Sequence, residues 1–434
     1  MRRPQIWMLG ALILAGAGST GLRSHGARLV GVLSGGRPRS EATLWSHVEP
    51  GWRLDSVWTF PERVNALMAP PPSAPIELRS QIYVGTAGTG SVHRINPGSI
   101  GAGFSISRGL GDAISFGESN VNRLALHDLD GDGELELIGS TSQIFPRGRP
   151  RLHVWNSTIA AAAQRAVARP EIASSWSHSL GFLSRPETPA QSVFVTFCGF
   201  GEIVEYRLNP QAASHDGFRH EELSWKKVGQ LPASGEWLEV GDVDNDHAQE
   251  LLVATGYALK GAAIHVYQSP AAGSPLQLKR VIDEDRRFGN VRFKLIPSAS
   301  NQESRLVAWW CTDLAGGDAE MIVYRLGPEG VRERQVVQTG TASELWPDDG
   351  RFDLGDVDGD GHDELWFATS QGVLWRFEPE RATESAPAPR RIATFREPIT
   401  SLTLSLPVAT YRRARVYIGC GHSVVSLEAS PPGA

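Results

Sequence analysis

Cysteine, excess basic charge and long apolar segments are all scarce in this sequence of 434 residues. With only 3 cysteines, a dense disulfide framework is excluded. The formal net charge of −6 favours no nucleic acid, so we expect no nucleic-acid partner. Beyond the N-terminal region, no apolar segment is long enough for a membrane-spanning helix. What remains is a globular protein with a modest acid excess.

The usual catalytic signatures are missing as well. The sequence contains no G-x-S-x-G, H-E-x-x-H, P-loop or C-x-x-C pattern. The 12 histidines are scattered, and two of them, His153 and His265, fall in predicted strands, where core or surface roles outnumber ligand roles. The sequence thus favours a non-enzymatic protein without excluding catalysis.

The N-terminus has the layout of a secretory signal peptide. Arg2 and Arg3 precede an apolar run over residues 6–15, and small residues follow up to Ala17. We expect residues 1–17 to be the signal peptide, cleaved after Ala17, with an uncleaved anchor as the alternative. The position of Ala17 lacks the cysteine that a lipoprotein would need. Residues 18–50 lack periodicity and predict a poorly ordered leader. These features predict a secreted, periplasmic or cell-envelope protein.

Glycine and aspartate, in contrast, are arranged in a repeat. The segments DLDGDGELE (128–136), DVDNDHAQE (242–250) and DVDGDGHDE (356–364) share one pattern, and their first aspartates are evenly spaced, since 242 − 128 = 114 and 356 − 242 = 114. Each has aspartate at positions 1, 3 and 5 and glutamate at position 9. Chance acidic clusters would not keep this spacing, so the pattern indicates a structural repeat.

The chemistry of these loops points to calcium. Ca²⁺ takes six to eight oxygen ligands, and alternating carboxylates in a tight loop can converge on one ion. Magnesium would keep more water, and an ordinary solvated acidic turn becomes improbable for three copies in register. The EF-hand, which needs an acid at position 12, is excluded because that position holds Gly139, Val253 and Phe367. The predicted ligands of three Ca²⁺ sites, with the position-7 backbone carbonyls included, are Asp128, Asp130, Asp132, Glu134, Glu136, Asp242, Asp244, Asp246, Ala248, Glu250, Asp356, Asp358, Asp360, His362 and Glu364.

The three segments, with their flanking strands, resemble the FG-GAP or VCBS repeat of bacterial exported proteins and of the integrin alpha N-terminal propeller. The matching segments are RLALHDLDGDGELELIGS, WLEVGDVDNDHAQELLVATG and RFDLGDVDGDGHDELWFATS. The second departs from the pattern, with Asn245 and His247 at the glycine positions. The resemblance implies a β-propeller with calcium-binding loops, and it implies no particular activity.

Half of the 114-residue spacing suits one four-stranded blade, so blades without acids should lie between the acidic ones. Such units occur at residues 64–95, 179–208, 291–326 and 399–427, which gives seven units. We therefore predict an all-β, seven-bladed propeller over residues 51–428 with a tail at 429–434. Six or eight blades, or two sandwich domains, are the alternatives. The last unit lacks an outer strand, and we predict that residues 53–60 supply it by pairing with residues 423–427, which would leave no free edge on the ring.

Cys198, Cys311 and Cys420 fall near the ends of second strands in units 3, 5 and 7. Equivalent positions two blades apart are too distant for a disulfide or a shared metal, because a disulfide needs Cα atoms within about 7 Å. We expect these cysteines to pack as small buried side chains.

Loops between second and third strands should form a face opposite the acidic loops, and that face is the predicted ligand surface. Its candidate residues are Phe145, Arg149, Tyr257, Lys260, Trp346, Asp348 and His422. The predicted protein is an exported, calcium-stabilised, monomeric propeller that binds or scaffolds a glycan or an extracellular protein. The alternative is a propeller-fold polysaccharide lyase or hydrolase, for which His422, Lys260 and a carboxylate would have to converge.

Overall fold

The computed structural model divides the chain into two compact units, residues 1–43 and 44–434, and every described residue lies in the second. The described ranges are 44–88, 90–95, 119–143, 151–156, 164–168, 177–185, 188–197, 201–208, 223–256, 261–296, 303–314, 316–347, 351–381, 388–407 and 414–430.

Within the described ranges, twenty-eight strands build seven antiparallel sheets, the blades of one ring. In chain order the strands are β1 Trp45–Val48, β2 Trp52–Thr59, β3 Val64–Met68, β4 Ile82–Thr86, β5 Val92–Ile95, β6 Ser119–His127, β7 Glu136–Gln143, β8 Arg151–Asn156, β9 Gln164–Ala168, β10 Ser177–Arg185, β11 Thr188–Phe197, β12 Glu202–Leu208, β13 Leu223–Gln230, β14 Ser234–Gly241, β15 Glu250–Gly256, β16 Ala262–Gln268, β17 Gln277–Asp285, β18 Asn290–Ile296, β19 Ser304–Cys311, β20 Asp318–Gly327, β21 Gly330–Thr341, β22 Phe352–Gly355, β23 Glu364–Ala368, β24 Val373–Phe377, β25 Arg390–Phe395, β26 Ile399–Ser405, β27 Arg415–Cys420 and β28 Ser423–Ala429.

The seven-bladed all-β prediction is confirmed. Blades 2 to 5 are the sheets β6–β9, β10–β13, β14–β17 and β18–β21, each four-stranded and in chain order. In blade 1 the described strands are β3, β4 and β5, and blade 6 consists of β22 to β25 with β1 added as a fifth strand. The first strand of each blade lies innermost, so the seven first strands surround a central axis.

Burial explains why these segments are strands. Strands inside the blades are mostly buried, as in β23, whose five residues, Glu364 included, are all buried. Outer strands such as β17 contain only exposed and half-buried residues, because they lie at the edge of the blade. Aromatic contacts join adjacent blades, and Trp309 of blade 5 stacks on Phe352 of blade 6 with ring centroids 5.2 Å apart. The core is therefore the set of interfaces between blades.

The ring closes as the sequence predicts. Strand β2 pairs antiparallel with β28, with Leu54 opposite Leu427 and Thr59 opposite Ser423, and blade 7 is the sheet β2-β28-β27-β26. An N-terminal strand thus completes the C-terminal blade and covers its edge.

The predicted boundary of the leader is wrong at its C-terminal end. Residues 45–48 form β1, which pairs with β25 from Trp45 opposite Phe395 to Val48 opposite Ala393. Leu44, just before it, is buried against blade 6. The segment had too few apolar residues to show periodicity, and its strand conformation depends on hydrogen bonds to a blade more than 340 residues away.

Two helices of four residues each, α1 Ile76–Arg79 and α2 Ala342–Leu345, and one 3₁₀ turn, Pro379–Arg381, complete the described structure. No helix in these ranges is long and apolar enough to cross a bilayer. Cys311 and Cys420 are buried, as expected, and form no disulfide within the described part of the chain, while Cys198 lies outside the described residues.

Candidate functional site

The three acidic loops, here called loop 2 (128–136), loop 4 (242–250) and loop 6 (356–364) after their blades, share one internal hydrogen-bond frame. In loop 6, the Asp356 carboxylate accepts hydrogen bonds from Gly359 N (2.7 Å) and Gly361 N (2.9 Å), and Glu364 Oε2 accepts one from Val357 N (2.8 Å). The same three contacts recur in loop 2 and in loop 4. The first aspartate and the final glutamate therefore fix the loop backbone.

This frame requires left-handed backbone at positions 4 and 6. Gly359 and Gly361 have φ of 82° and 89°, and a Cβ at either would meet nothing within 4 Å. The backbone conformation, and not crowding, therefore favours glycine there. In loop 4 the same positions hold Asn245 (φ 60°) and His247 (φ 66°), the two non-glycine residues with positive φ among the described residues. Loop 4 thus has the same left-handed backbone at these two positions although neither residue is glycine.

Carboxylate oxygens converge in each loop. In every cluster the ligand-type oxygens lie within 4.8 Å of one another: Asp242, Asp244, Asp246 and Glu250 in loop 4; Asp356, Asp358, Asp360 and Glu364 in loop 6; Asp128, Asp130 and Glu136 in loop 2. Asp132, a predicted ligand, is not in the loop 2 cluster, and its Oδ1 accepts a hydrogen bond from Glu134 N at 2.8 Å. Glu134, Ala248 and His362 were predicted to contribute only backbone carbonyls, and that contribution stays a prediction.

In loop 4, cations from the outer strand of the same blade reach the acids. Lys279 Nζ, on β17, lies 2.8 Å from Asp244, 3.1 Å from Asp246 and 2.6 Å from Glu250. The neighbouring Arg280 also contacts Asp244 Oδ2. The other oxygen, Asp244 Oδ1, is buried and has no hydrogen-bond partner among the described residues. Asp244 therefore keeps an acceptor available inside the cluster.

In loop 6, the cation comes from the third strand. Arg376 Nη2, on β24, lies 2.5 Å from Asp358 Oδ2, 2.7 Å from Glu364 Oε1 and 3.2 Å from Glu378 Oε1. Five acids in nine residues would repel one another strongly, so a positive partner is expected on electrostatic grounds. In loops 4 and 6 the structure supplies at least part of that charge from the protein itself.

Blade 3 carries a related ion pair with the charges reversed. Strand pairing places Glu205, on β12, at the register that Arg376 holds in blade 6. Its carboxylate lies 3.2 Å from Arg185 Nη2, at the end of the first strand, and Ser192 Oγ bonds to both side chains. A blade that lacks the acidic motif thus stabilises the corresponding region with an internal ion pair.

Burial and these contacts shift the pKa values of the loop acids. Burial raises the pKa of Glu364 from 4.5 to about 7. It also raises the pKa of Glu250, against the effect of the hydrogen bond from Lys279. The backbone N–H of Ala248 lowers the pKa of the more exposed Asp246. Burial lowers the pKa of Lys279, but its three carboxylate partners outweigh burial and the net shift is upward. Lys279 is therefore a firmly charged partner.

The predicted ligand surface needs one correction. Trp346 is only 4% exposed, because its ring packs in the core 5.5 Å from the guanidinium of Arg292. It therefore offers no aromatic face to a ligand. His422 is exposed, in the turn between β27 and β28. Phe145, Arg149, Tyr257, Lys260 and Asp348 lie outside the described residues.

Sequence reasoning missed Lys279 and Arg376. One weak signal was present, since each is a basic residue on a later strand of a blade that carries the acidic motif. Their contacts depend on strand register, and β16 and β17 are shifted by two irregularities. The position of a long side chain on such a strand cannot be read from spacing alone.

Comparison with known proteins gives the fold. No protein-family model and no curated protein matches this sequence. Among solved structures, the Dos1 propeller is similar, with a TM-score of 0.53 and 11% identity over 87% of this chain and 95% of that chain. A weaker likeness is to Chaetomium thermophilum Raptor, with a TM-score of 0.48 and 10% identity over 90% of this chain and 29% of that chain. The first likeness shows a β-propeller fold, and it shows no particular function because one fold hosts many unrelated functions.

Proposed function

We propose that this protein is an exported β-propeller that binds calcium in loops 2, 4 and 6 and acts as a binding or scaffold module for a glycan or an extracellular protein. The observation that carries the calcium proposal is the convergence of carboxylate oxygens within 4.8 Å in three loops with one hydrogen-bond frame. Hard oxygen ligands in a fixed loop suit Ca²⁺. The resemblance of the same three segments to the FG-GAP or VCBS repeat agrees with this proposal.

The residues of loop 4 fit an ion in a second respect. The buried Asp244 Oδ1 has no hydrogen-bond partner among the described residues, and a carboxylate oxygen in that state is an available ligand. Bound calcium would add positive charge and fix the connection between the first and second strands. Lys279 and Arg376 would then compete with the ion for the same carboxylates, which would weaken binding in loops 4 and 6.

The test is metal content and thermal stability with matched variants. The protein, freed of metal by a chelator, is melted with and without added Ca²⁺, since a ligand of the folded state raises stability by RT ln(1 + [L]/Kd). Asp360→Asn removes a carboxylate from the loop 6 cluster, whereas Asp363→Asn changes an acid beside it that is not in the cluster. We expect calcium to raise the melting temperature, and D360N but not D363N to reduce the rise. No bound calcium and no shift would overturn the proposal.

The binding role has its own test, an array of glycans probed in the presence of calcium. Binding that saturates, with a defined preference among glycans, is the expected result. Turnover of a polysaccharide by the same preparation would instead favour the lyase or hydrolase alternative.

A further inference from the structure

A cavity of about 540 Å³ lies on the axis of the ring and is lined by the inner strands. Its wall extends from Arg123 to His127 along β6, so it follows the C-terminal half of that strand. Ligand pockets commonly measure about 300–1,000 Å³. The cavity is therefore large enough for a small organic molecule.

One arginine, Arg123, lines the end of the cavity remote from the acidic loops. Arg123, Trp237 and Arg351 are spaced by 114 residues, because 237 − 123 = 114 and 351 − 237 = 114, and they occupy one register on blades 2, 4 and 6. The Arg123 guanidinium lies 5.1 Å from the Trp237 ring centroid. This end of the cavity favours an anionic group.

Two residues further along the strands, the cavity wall carries charges of both signs. Lys294 Nζ lies 3.3 Å from Glu239 Oε1, and the field of Lys294 also acts on Asp353. Lys294 keeps 27% of its side-chain surface accessible and Glu239 keeps 13%, although both lie inside the ring. These groups can therefore contact a molecule in the cavity.

Bonds between blades hold both carboxylates in place. Glu239 accepts a hydrogen bond from Leu295 N of the next blade at 2.8 Å. Asp353 accepts bonds from Leu404 N at 2.9 Å and from Thr403 Oγ1 at 3.2 Å, again from the next blade. A carboxylate fixed in this way is a preorganised acceptor for hydroxyl groups, and Lys294 is a donor beside it.

We infer that the axial cavity binds a small polyhydroxylated carboxylate, such as an acidic sugar, with its carboxylate at Arg123 and its hydroxyls at Glu239, Lys294 and Asp353. This inference deepens the binding role proposed above by naming a ligand class and its site. It does not depend on whether the acidic loops bind calcium.

Isothermal titration with glucuronate and with glucose, both in calcium-containing buffer, tests the inference. These two sugars differ in the carboxylate, so glucuronate should bind and glucose should bind at least about tenfold more weakly, as expected for the loss of a charge-assisted hydrogen bond. Arg123→Gln and Lys294→Met should each weaken glucuronate binding about tenfold or more. Arg390→Gln, which changes an exposed arginine on the outer strand of blade 6, should leave it unchanged.

Ala125→Leu separates binding from folding. Ala125 lines the cavity and is half-buried, so a larger apolar side chain fills space without removing a hydrogen-bonding group. We expect A125L to abolish glucuronate binding while the melting temperature stays the same or rises. Absence of glucuronate binding, equal binding of glucose, or full binding by A125L would each overturn the cavity assignment. A protein that calcium stabilises but that fails this titration would leave the calcium proposal standing.

Discussion

At the residue scale, His247 is a residue whose backbone conformation conflicts with its type. Its φ of 66° lies in the left-handed region, where non-glycine residues are strained by about 1 kcal/mol. Its N–H must nevertheless stay in place to bond Asp242 Oδ2 at 2.9 Å. We expect His247→Gly to stabilise the protein by about 0.5–1 kcal/mol, less the entropy that glycine costs. Urea denaturation at fixed calcium measures this. Gly361→Ala, at the same position of loop 6, should destabilise, and equal stability of all three proteins would contradict the argument.

Trp346 gives the second residue-scale prediction. Because the ring is 4% exposed and packs near Arg292, Trp346→Ala should lower the free energy of unfolding by about 3–5 kcal/mol. Trp225 is 40% exposed on the outer strand of blade 3, and Trp225→Ala is the matched control, with an expected change within about 0.5 kcal/mol. Thermal melting compares them. Similar melting temperatures for both variants would mean that Trp346 does not pack as described.

At the element scale, strand β17 supplies loop 4 with its charge partner. Lys279→Met removes contacts to three carboxylates and leaves acids facing one another, so in a chelator it should destabilise the protein by about 2 kcal/mol. In saturating calcium the difference from the unsubstituted protein should shrink, since the ion supplies positive charge in place of the ammonium group. Lys227→Met, which changes a 47% exposed lysine paired with Glu202, is the control. If calcium leaves the loss of stability in Lys279→Met unchanged, Lys279 does not occupy the same carboxylates as the ion.

In the absence of metal, the stability of the protein should also depend on pH through Glu364, the first residue of β23. Burial raises the pKa of Glu364 from 4.5 to about 7, so the folded state binds this proton more tightly than the unfolded state. The proton on Glu364 therefore stabilises the folded state fully below pH 4.5, and this contribution is lost as the pH rises towards 7. Glu364→Gln resembles the protonated acid and should lack this decline. Melting in chelator between these pH values compares the two proteins, and identical slopes would refute the assignment.

At the scale of the whole molecule, ring closure depends on β2. Removing residues 1–43 should leave the melting temperature almost unchanged, since none of the described strands is lost. Removing residues 1–50 also deletes β1, the fifth strand of blade 6, and should cost a modest amount of stability. Removing residues 1–60 deletes β2 and exposes the edge of β28, so this truncation should melt far lower or fail to fold. Equal melting of the last two truncations would show that closure by β2 contributes little.

The sequence by itself determined the blade number, the positions of the three acidic loops and the closing strand. The carboxylate clusters of loops 2, 4 and 6 could be predicted because their residues lie within nine consecutive positions of the chain. The closing strand could be predicted because a blade short of one strand requires an apolar segment from elsewhere in the chain.

Only the tertiary structure decided which side chains meet. The pairing of Lys279 with Glu250, the burial of Trp346 and the convergence of Glu239, Lys294 and Asp353 join different strands or different blades. For Lys279, two irregularities between β16 and β17 affect the contact, since a shift of one residue turns a side chain to the other face of its sheet. Glu239 and Asp353 do share the 114-residue spacing, since 353 − 239 = 114, but spacing alone could not show that both face the axis.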